Sequence, residues 1–201
     1  MKNADVPLIL ASASERRKEI LDAHGIAFIV IPSDVDETLP DNVCLTPEQT
    51  TIYLAELKVQ AVLDMLDPRE WPLGCRILGV DTIVYKDHII GKPVDEADAL
   101  SILRSLKNSS HEVISGVCLI LAKLIDGTLK IEEKRSFSDT SIVRFDEYSD
   151  EDILAYIRVN PPYDKSGSYA IQSDWGKHVL EVDGDIDNVI GLPYKKLAGY
   201  L

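Results

Sequence analysis

Short apolar runs alternate along the chain with longer amphipathic stretches, and the spacing within each assigns it an element. Leu8–Ala11 is a continuous apolar run of strand length and reads as a buried first strand. Ser14 follows as an N-cap, with Ile20, Leu21 and Ala23 turned inward and Gly25 as the stop, which predicts a first helix. Phe28–Ile31 reads as a second strand, followed by an acidic loop over Ser33–Asp41. Thr46-Pro47-Glu48-Gln49 combines an N-cap, a proline at the first helical position and a glutamine at the capping-box site. A helix is predicted from there to about Leu66. Proline and glycine make Asp67–Arg76 a loop.

Farther on, Ile77–Tyr85 reads as a strand with Asp81 inside it, and Lys86-Asp87-His88 turns the chain back into Ile89-Ile90. Asp95 caps a predicted helix to about Leu106. His111–Ala122 is strand-like, Asp126-Gly127 offers a hairpin turn into Leu129–Glu132, and another strand covers about Thr140–Phe145. Ser149 caps a helix through Val159, broken by Pro161-Pro162. The glycine-punctuated remainder holds a strand at His178–Val182 and a short helix near the end. Helices and strands interleave irregularly with hairpins among them, which favours an α/β protein with a mixed sheet over a purely parallel one.

Composition narrows the picture. At 201 residues and 45% hydrophobic positions the chain can bury a core as one domain spanning residues 1–201. The 34 acidic against 21 basic residues give a net charge of −13. Such a field repels polyanions and argues against coating nucleic acid or an anionic membrane, though a local basic pocket can still hold a small polyanion. No apolar run reaches the ~18 residues of a membrane span, and Val6–Ala11 is too short for a signal peptide. Cys44, Cys75 and Cys118 are odd in number and lack a CxxC pair. That pattern reads as reduced thiols in a cytoplasmic protein.

Three segments carry candidate chemistry. Ser12-Ala13-Ser14-Glu15-Arg16-Arg17-Lys18 sits between the first strand and the first helix. Helix-start N–H groups, two hydroxyls and two guanidiniums together suit a phosphate; an N-cap serine followed by solvated charges explains the same residues. Neither a P-loop nor a Gly-x-Gly-x-x-Gly fingerprint is present. Asp81 lies between apolar β residues, where a carboxylate needs a partner or a task; capping a strand end is the alternative. Gly91-Lys92-Pro93 holds a lysine in a rigid turn, and Asp34-Val35-Asp36-Glu37 offers either magnesium ligands or a solvated acidic loop. In Asp164–Gln172, lysine, hydroxyls and glycine can approach a phosphate or base, and the Gln172 amide can read a base edge; taken alone the segment is equally a polar turn before a strand. Trp175 could stack on a base, but an exposed hairpin tryptophan is the expectation.

Taken together these residues resemble a known family. Ser12-x-Ser14-x-Arg16-Arg17, Asp36-Glu37, Lys58, Asp81-Thr82, Gly91-Lys92-Pro93 and His111-Glu112-Val113 stand in the order and spacing of the Maf family. Asp164-Lys165-x-Gly167-x-Tyr169, Gln172 and Val189-x-Gly191-Leu192-Pro193 continue the series. These are the septum-formation-inhibitor-related nucleoside triphosphate pyrophosphatases, and the resemblance covers about Leu8 to Leu197. Two segments, Asp67–Arg76 with Trp71 and Ser173–Gly176, depart from the family pattern.

The resemblance implies an elongated mixed β-sheet with flanking helices and two lobes around a nucleotide cleft, similar to the inosine-triphosphate pyrophosphatases. It implies hydrolysis of a nucleoside triphosphate to monophosphate and diphosphate, with a divalent cation (Mg2+ or Mn2+) held by Glu37 and Asp81. Asp81 falls on the general base, with Glu37, Lys58 and Lys92 as further catalytic groups. Ser12, Ser14, Arg16, Arg17, Thr82, Lys165 and Gln172 fall on substrate-binding positions. Arg16, Thr82 and Gln172 resemble the branch acting on dTTP and UTP. A homodimer with a nucleotide-pool housekeeping role is expected; the alternatives are the same chemistry on a modified or purine nucleotide, or a non-catalytic cell-division regulator.

Overall fold

Capping signals in the sequence become helix starts in the computed structural model, which describes residues 6–39 and 44–201; Asp41 of the acidic loop lies outside them. Helix α1 (Glu15–Ala23) starts after Ser14, although the Ser14 side chain makes no capping bond. Helix α2 (Pro47–Met65) carries the full reciprocal box, with Thr46 and Gln49 each accepting from the other's backbone N–H. Asp95 caps α3 (Glu96–Leu106), and a second box, Ser149 with Asp152, starts α4 (Asp150–Val159). Two short helices, α5 (Ile186–Ile190) and α6 (Tyr194–Leu197), follow near the end. Only one of these is foreseen, because five residues are too few to display helical periodicity.

Among the described residues seven strands form one mixed sheet: β1 (Leu8–Leu10), β2 (Ile29–Val30), β3 (Cys75–Lys86), β4 (His88–Ile90), β5 (Ser110–Ile125), β6 (Thr128–Phe145) and β7 (Val179–Asp183). Their order is β2-β1-β3-β5-β6-β7, with β4 paired to β3. β1 runs parallel to both neighbours, placing Ile9 opposite Ile29 and Ile77, whereas β4 on β3 and β7 on β6 are antiparallel. Asp126 and Gly127 both have positive φ, 52° and 78°, the geometry that makes a two-residue hairpin match strand twist.

Three expectations need correction. The strands predicted at Leu129–Glu132 and Thr140–Phe145 are parts of the single strand β6; its exposed charged middle, Glu132 to Arg135, hides the strand from a search for alternating burial. The Asp67–Arg76 loop holds a 3-10 turn at Pro68–Glu70, and β3 already begins at Cys75. Trp175 is neither exposed nor in a hairpin. It sits in a 3-10 segment, Asp174–His178, and is 1% exposed.

The chain divides into two compact units, with boundaries inside β3, β5 and β6 and at the start of α6. The first comprises residues 1–81, 115–139 and 194–201, and its core is aliphatic: Ile9, Ala55, Val59, Val62, Ile77 and Ile120 among others. Helix α2 lies directly on the strands there. A methyl group on Gly79 would run into the Ala55 carbonyl oxygen, and one on Gly116 into the Thr51 backbone. The second unit comprises residues 82–114 and 140–193, with an aromatic core of Phe145, Tyr148, Tyr156, Tyr169 and Trp175. Tyr148 stands edge-on to Trp175, ring centroids 4.7 Å apart. No helix among the described residues is long and apolar enough to cross a membrane.

Candidate active site

In the first unit, β1 delivers the chain to α1 through Ser12, which is 8% exposed. The Ser12 hydroxyl accepts from the Ser14 N–H at 3.2 Å and from Arg17 Nη1 at 2.9 Å. Burial pulls the Arg17 pKa below its ordinary value; the neighbouring charges of Asp81 and Glu37 oppose that shift, and Arg16 reinforces it. A guanidinium stays protonated at any physiological pH, so this corner holds a cation stripped of much of its water. Arg16 is half-buried beside it.

Helix α2 supplies the centre. Lys58, 7% exposed, donates from Nζ to Asp81 Oδ1 at 2.6 Å and lies 2.8 Å from Glu37 Oε1. Asp81 is itself 7% exposed, in a stretch of β3 where Val80, Ile83 and Val84 are buried. Removing two such ions from water costs several kcal/mol each, and well-packed apolar residues are often at least as stabilising. An ion pair kept here in place of apolar packing points to a chemical task.

From the described residues of the acidic loop, Glu37 reaches this centre. Asp36 is exposed and accepts from the Thr38 N–H at 2.9 Å, and Thr38's hydrogen bonds hold its pKa down. Asp81 and Glu37 pair with one and the same ammonium, so both carboxylates border one cationic position. Magnesium is commonly held by one or two carboxylates plus substrate phosphate oxygens, and these two hard donors fit that pattern. No cluster of three or more His, Cys, Asp or Glu side chains forms a self-contained metal site among the described residues.

The second unit holds Thr82, Lys92, Lys165 and Gln172. Thr82 Oγ1 donates to the Gly191 carbonyl at 3.4 Å, and Ser166 Oγ reaches the Thr82 carbonyl at the same distance. The exposed Lys92 turn is tied to the Lys165 loop by the Gly167 N–H on the Gly91 carbonyl, 3.2 Å. Gly167 has φ 74°, and a methyl there would meet Val84 Cγ2 at 2.7 Å, so this close approach needs glycine. Lys165 pairs with Asp164, and Gln172 is exposed in the following turn.

Buried groups hang this loop in place. His111, 2% exposed, shares a 2.8 Å hydrogen bond between Nε2 and the Tyr169 hydroxyl. Burial, helped by Lys86, lowers the His111 pKa from 6.5 to about 4, so the ring is neutral at pH 7. The Tyr156 hydroxyl accepts from the Ala170 N–H at 3.1 Å. Asn188, fully buried, donates to the Val113 carbonyl at 2.9 Å and to Ser141 Oγ at 3.0 Å, holding α5 beside the glycine that Thr82 reaches. The sequence singles out neither Tyr156 nor Asn188. The one available signal is the asparagine just before Val189-x-Gly191, and it has no meaning until α5 is known.

Comparison with known proteins extends these observations over the whole chain. The family model described as Maf-like protein matches residues 7–201. The dTTP/UTP pyrophosphatase of Phocaeicola vulgatus is 41% identical over 194 residues, 94% of this chain and 92% of that protein. Those of Syntrophotalea carbinolica and Lachnoclostridium phytofermentans are 39% and 36% identical, each over 94% of this chain and over 80% and 91% of their own lengths. A match of that extent runs through both units, and the chain belongs to the Maf family.

Proposed function

We propose that this protein hydrolyses nucleoside triphosphates between the α- and β-phosphates, releasing monophosphate and diphosphate, with UTP and dTTP as the best substrates. The observation that carries this reading is the buried Asp81 carboxylate, held at 2.6 Å by Lys58 beside Glu37 and the desolvated Arg17. The names of the relatives, dTTP/UTP pyrophosphatases, support the substrate choice.

Water attacking a phosphate needs a base, neutralised oxygens and an aligned leaving group. In this reading Asp81 takes the proton from water, and Arg17, Arg16 and Lys58 spread positive charge along the phosphate chain. The Ser12 hydroxyl and the first N–H groups of α1 orient an oxygen. Asp81 and Glu37 would hold a divalent cation, Mg2+ or Mn2+, which supplies charge neutralisation and a more acidic bound water. Lys92 and Lys165 bind further phosphate oxygens, and the Gln172 amide pairs with O4 and N3–H of uracil or thymine. The role is housekeeping of nucleotide pools by a cytoplasmic homodimer, a state that light scattering would test.

The deciding experiment is a panel of nucleoside triphosphates assayed for diphosphate. Diphosphate from UTP and dTTP, lost in chelator, is the expected result. Release of orthophosphate, or full activity in chelator, would overturn it, and a purine or 7-methyl-GTP preference would overturn the base assignment alone.

A further inference from the structure

Lys58 makes two ion pairs at once, and both partners are the carboxylates proposed above to hold a cation. Its side chain is 9% exposed, with Nζ 2.6 Å from Asp81 Oδ1 and 2.8 Å from Glu37 Oε1. Its root is fixed: the side chain leaves α2 between Ala55 and Val59, which pack against β3 at Gly79. A dication seeking both carboxylate oxygens therefore meets an ammonium already seated on them, with the Arg17 guanidinium close by. Like charges a few ångströms apart in partly desolvated surroundings repel strongly.

We infer that Lys58 is a built-in counter-cation that couples the divalent ion to the triphosphate. The ammonium yields the carboxylates only when a phosphate chain offers it a replacement anion, so ion and nucleotide bind with positive cooperativity. Lysine suits the exchange: a compact charge on a flexible stem can re-aim its head while its root stays packed. The coupling is reciprocal, so the ion strengthens nucleotide binding by the same factor. This inference rests on the pyrophosphatase reading and adds an order of assembly to it.

The test is binding of Mn2+, read by electron paramagnetic resonance without turnover, with and without α,β-methylene-UTP. The wild-type chain is expected to bind Mn2+ alone weakly, and at least tenfold more tightly with the analogue. Lys58→Gln is expected to bind Mn2+ alone at least tenfold more tightly than wild type and to show a correspondingly smaller coupling factor. Adding Asp81→Asn to Lys58→Gln removes that gain if the ion sits on these carboxylates. Lys58→Met serves as a second variant, and circular dichroism melts verify folding of each. Wild-type Mn2+ affinity that ignores the analogue overturns the inference with no variant needed. So does a folded Lys58 variant that binds Mn2+ no more tightly than wild type, or that keeps the full coupling factor. Absence of diphosphate release from every triphosphate would instead defeat the pyrophosphatase reading, and the Mn2+ arms distinguish the two failures.

Discussion

The two compact units differ in how they treat the charged and polar groups at their centres. The first keeps Lys58 and Asp81 buried as an ion pair, adds Glu37, and strips water from Arg17. The second keeps its buried tyrosines Tyr148 and Tyr169 and its buried His111 neutral. Burial pushes the Tyr148 and Tyr169 hydroxyls up and the His111 ring down; the Tyr169 hydroxyl pairs with His111 Nε2 at 2.8 Å and Tyr148 donates to the Leu103 carbonyl at 2.7 Å. Neutral pairs of this kind cost little to bury once hydrogen-bonded, and aromatic contacts add about 0.5–1.5 kcal/mol each. The first unit gives up stability to hold charge where chemistry needs it; the second uses neutral hydrogen-bonded groups and rings to fix a loop.

The sharpest way to break this comparison is at Asp81. Asp81→Asn keeps the shape but removes the charge, and a lost general base lowers kcat by ~10³-fold, about 4 kcal/mol in the barrier. Nucleotide affinity should change far less, and a variant with near-normal turnover would remove Asp81 from the role. Trp175→Ala attacks the other unit. It empties a buried site lined by Tyr148, Tyr156 and His178 and should cost roughly 3–5 kcal/mol of stability, read from a urea denaturation midpoint.

Acidification separates the units next. His111 titrates near 6.5 when unfolded and near 4 when folded, so between those values the unfolded chain binds more protons. Its contribution to stability is full above pH 6.5 and is lost progressively as pH falls to 4, up to about 3 kcal/mol. His111→Gln should flatten stability against pH across that window; urea curves at pH 7, 5.5 and 4.5 for both proteins make the check. The smallest effect is expected at Gln172. Gln172→Ala should lower kcat/KM for UTP by about tenfold, the worth of one or two hydrogen bonds, and lower it less for the poorest substrates.

The sequence displayed the fold where local rules operate. Thr46-Pro47-Glu48-Gln49 announced α2, Ser149 announced α4, and Asp126-Gly127 announced the hairpin, because capping and turn chemistry is written in adjacent residues. It failed where tertiary contact overrides local pattern. The exposed charges in the middle of β6 and the burial of Trp175 depend on neighbours distant in sequence. At the site, Asp81 stood out as a carboxylate among apolar residues. Its pairing with Lys58, 23 positions away, follows only once α2 lies on β3, since neither residue's local spacing encodes the contact.

The bare glycines beneath α2 carry a consequence for genetics. Gly79 and Gly116 let the helix backbone rest on the strands, so two residues with no side chain set the height at which Lys58 projects. In a saturation scan scored by turnover, alanine at either position would displace the helix and appear as damaging as loss of a charged group. A map of such scores would draw the active site larger than the set of residues that touch substrate. Suppressors of Gly79→Ala should then arise at Val59, whose side chain lies above it, rather than among the acids and bases.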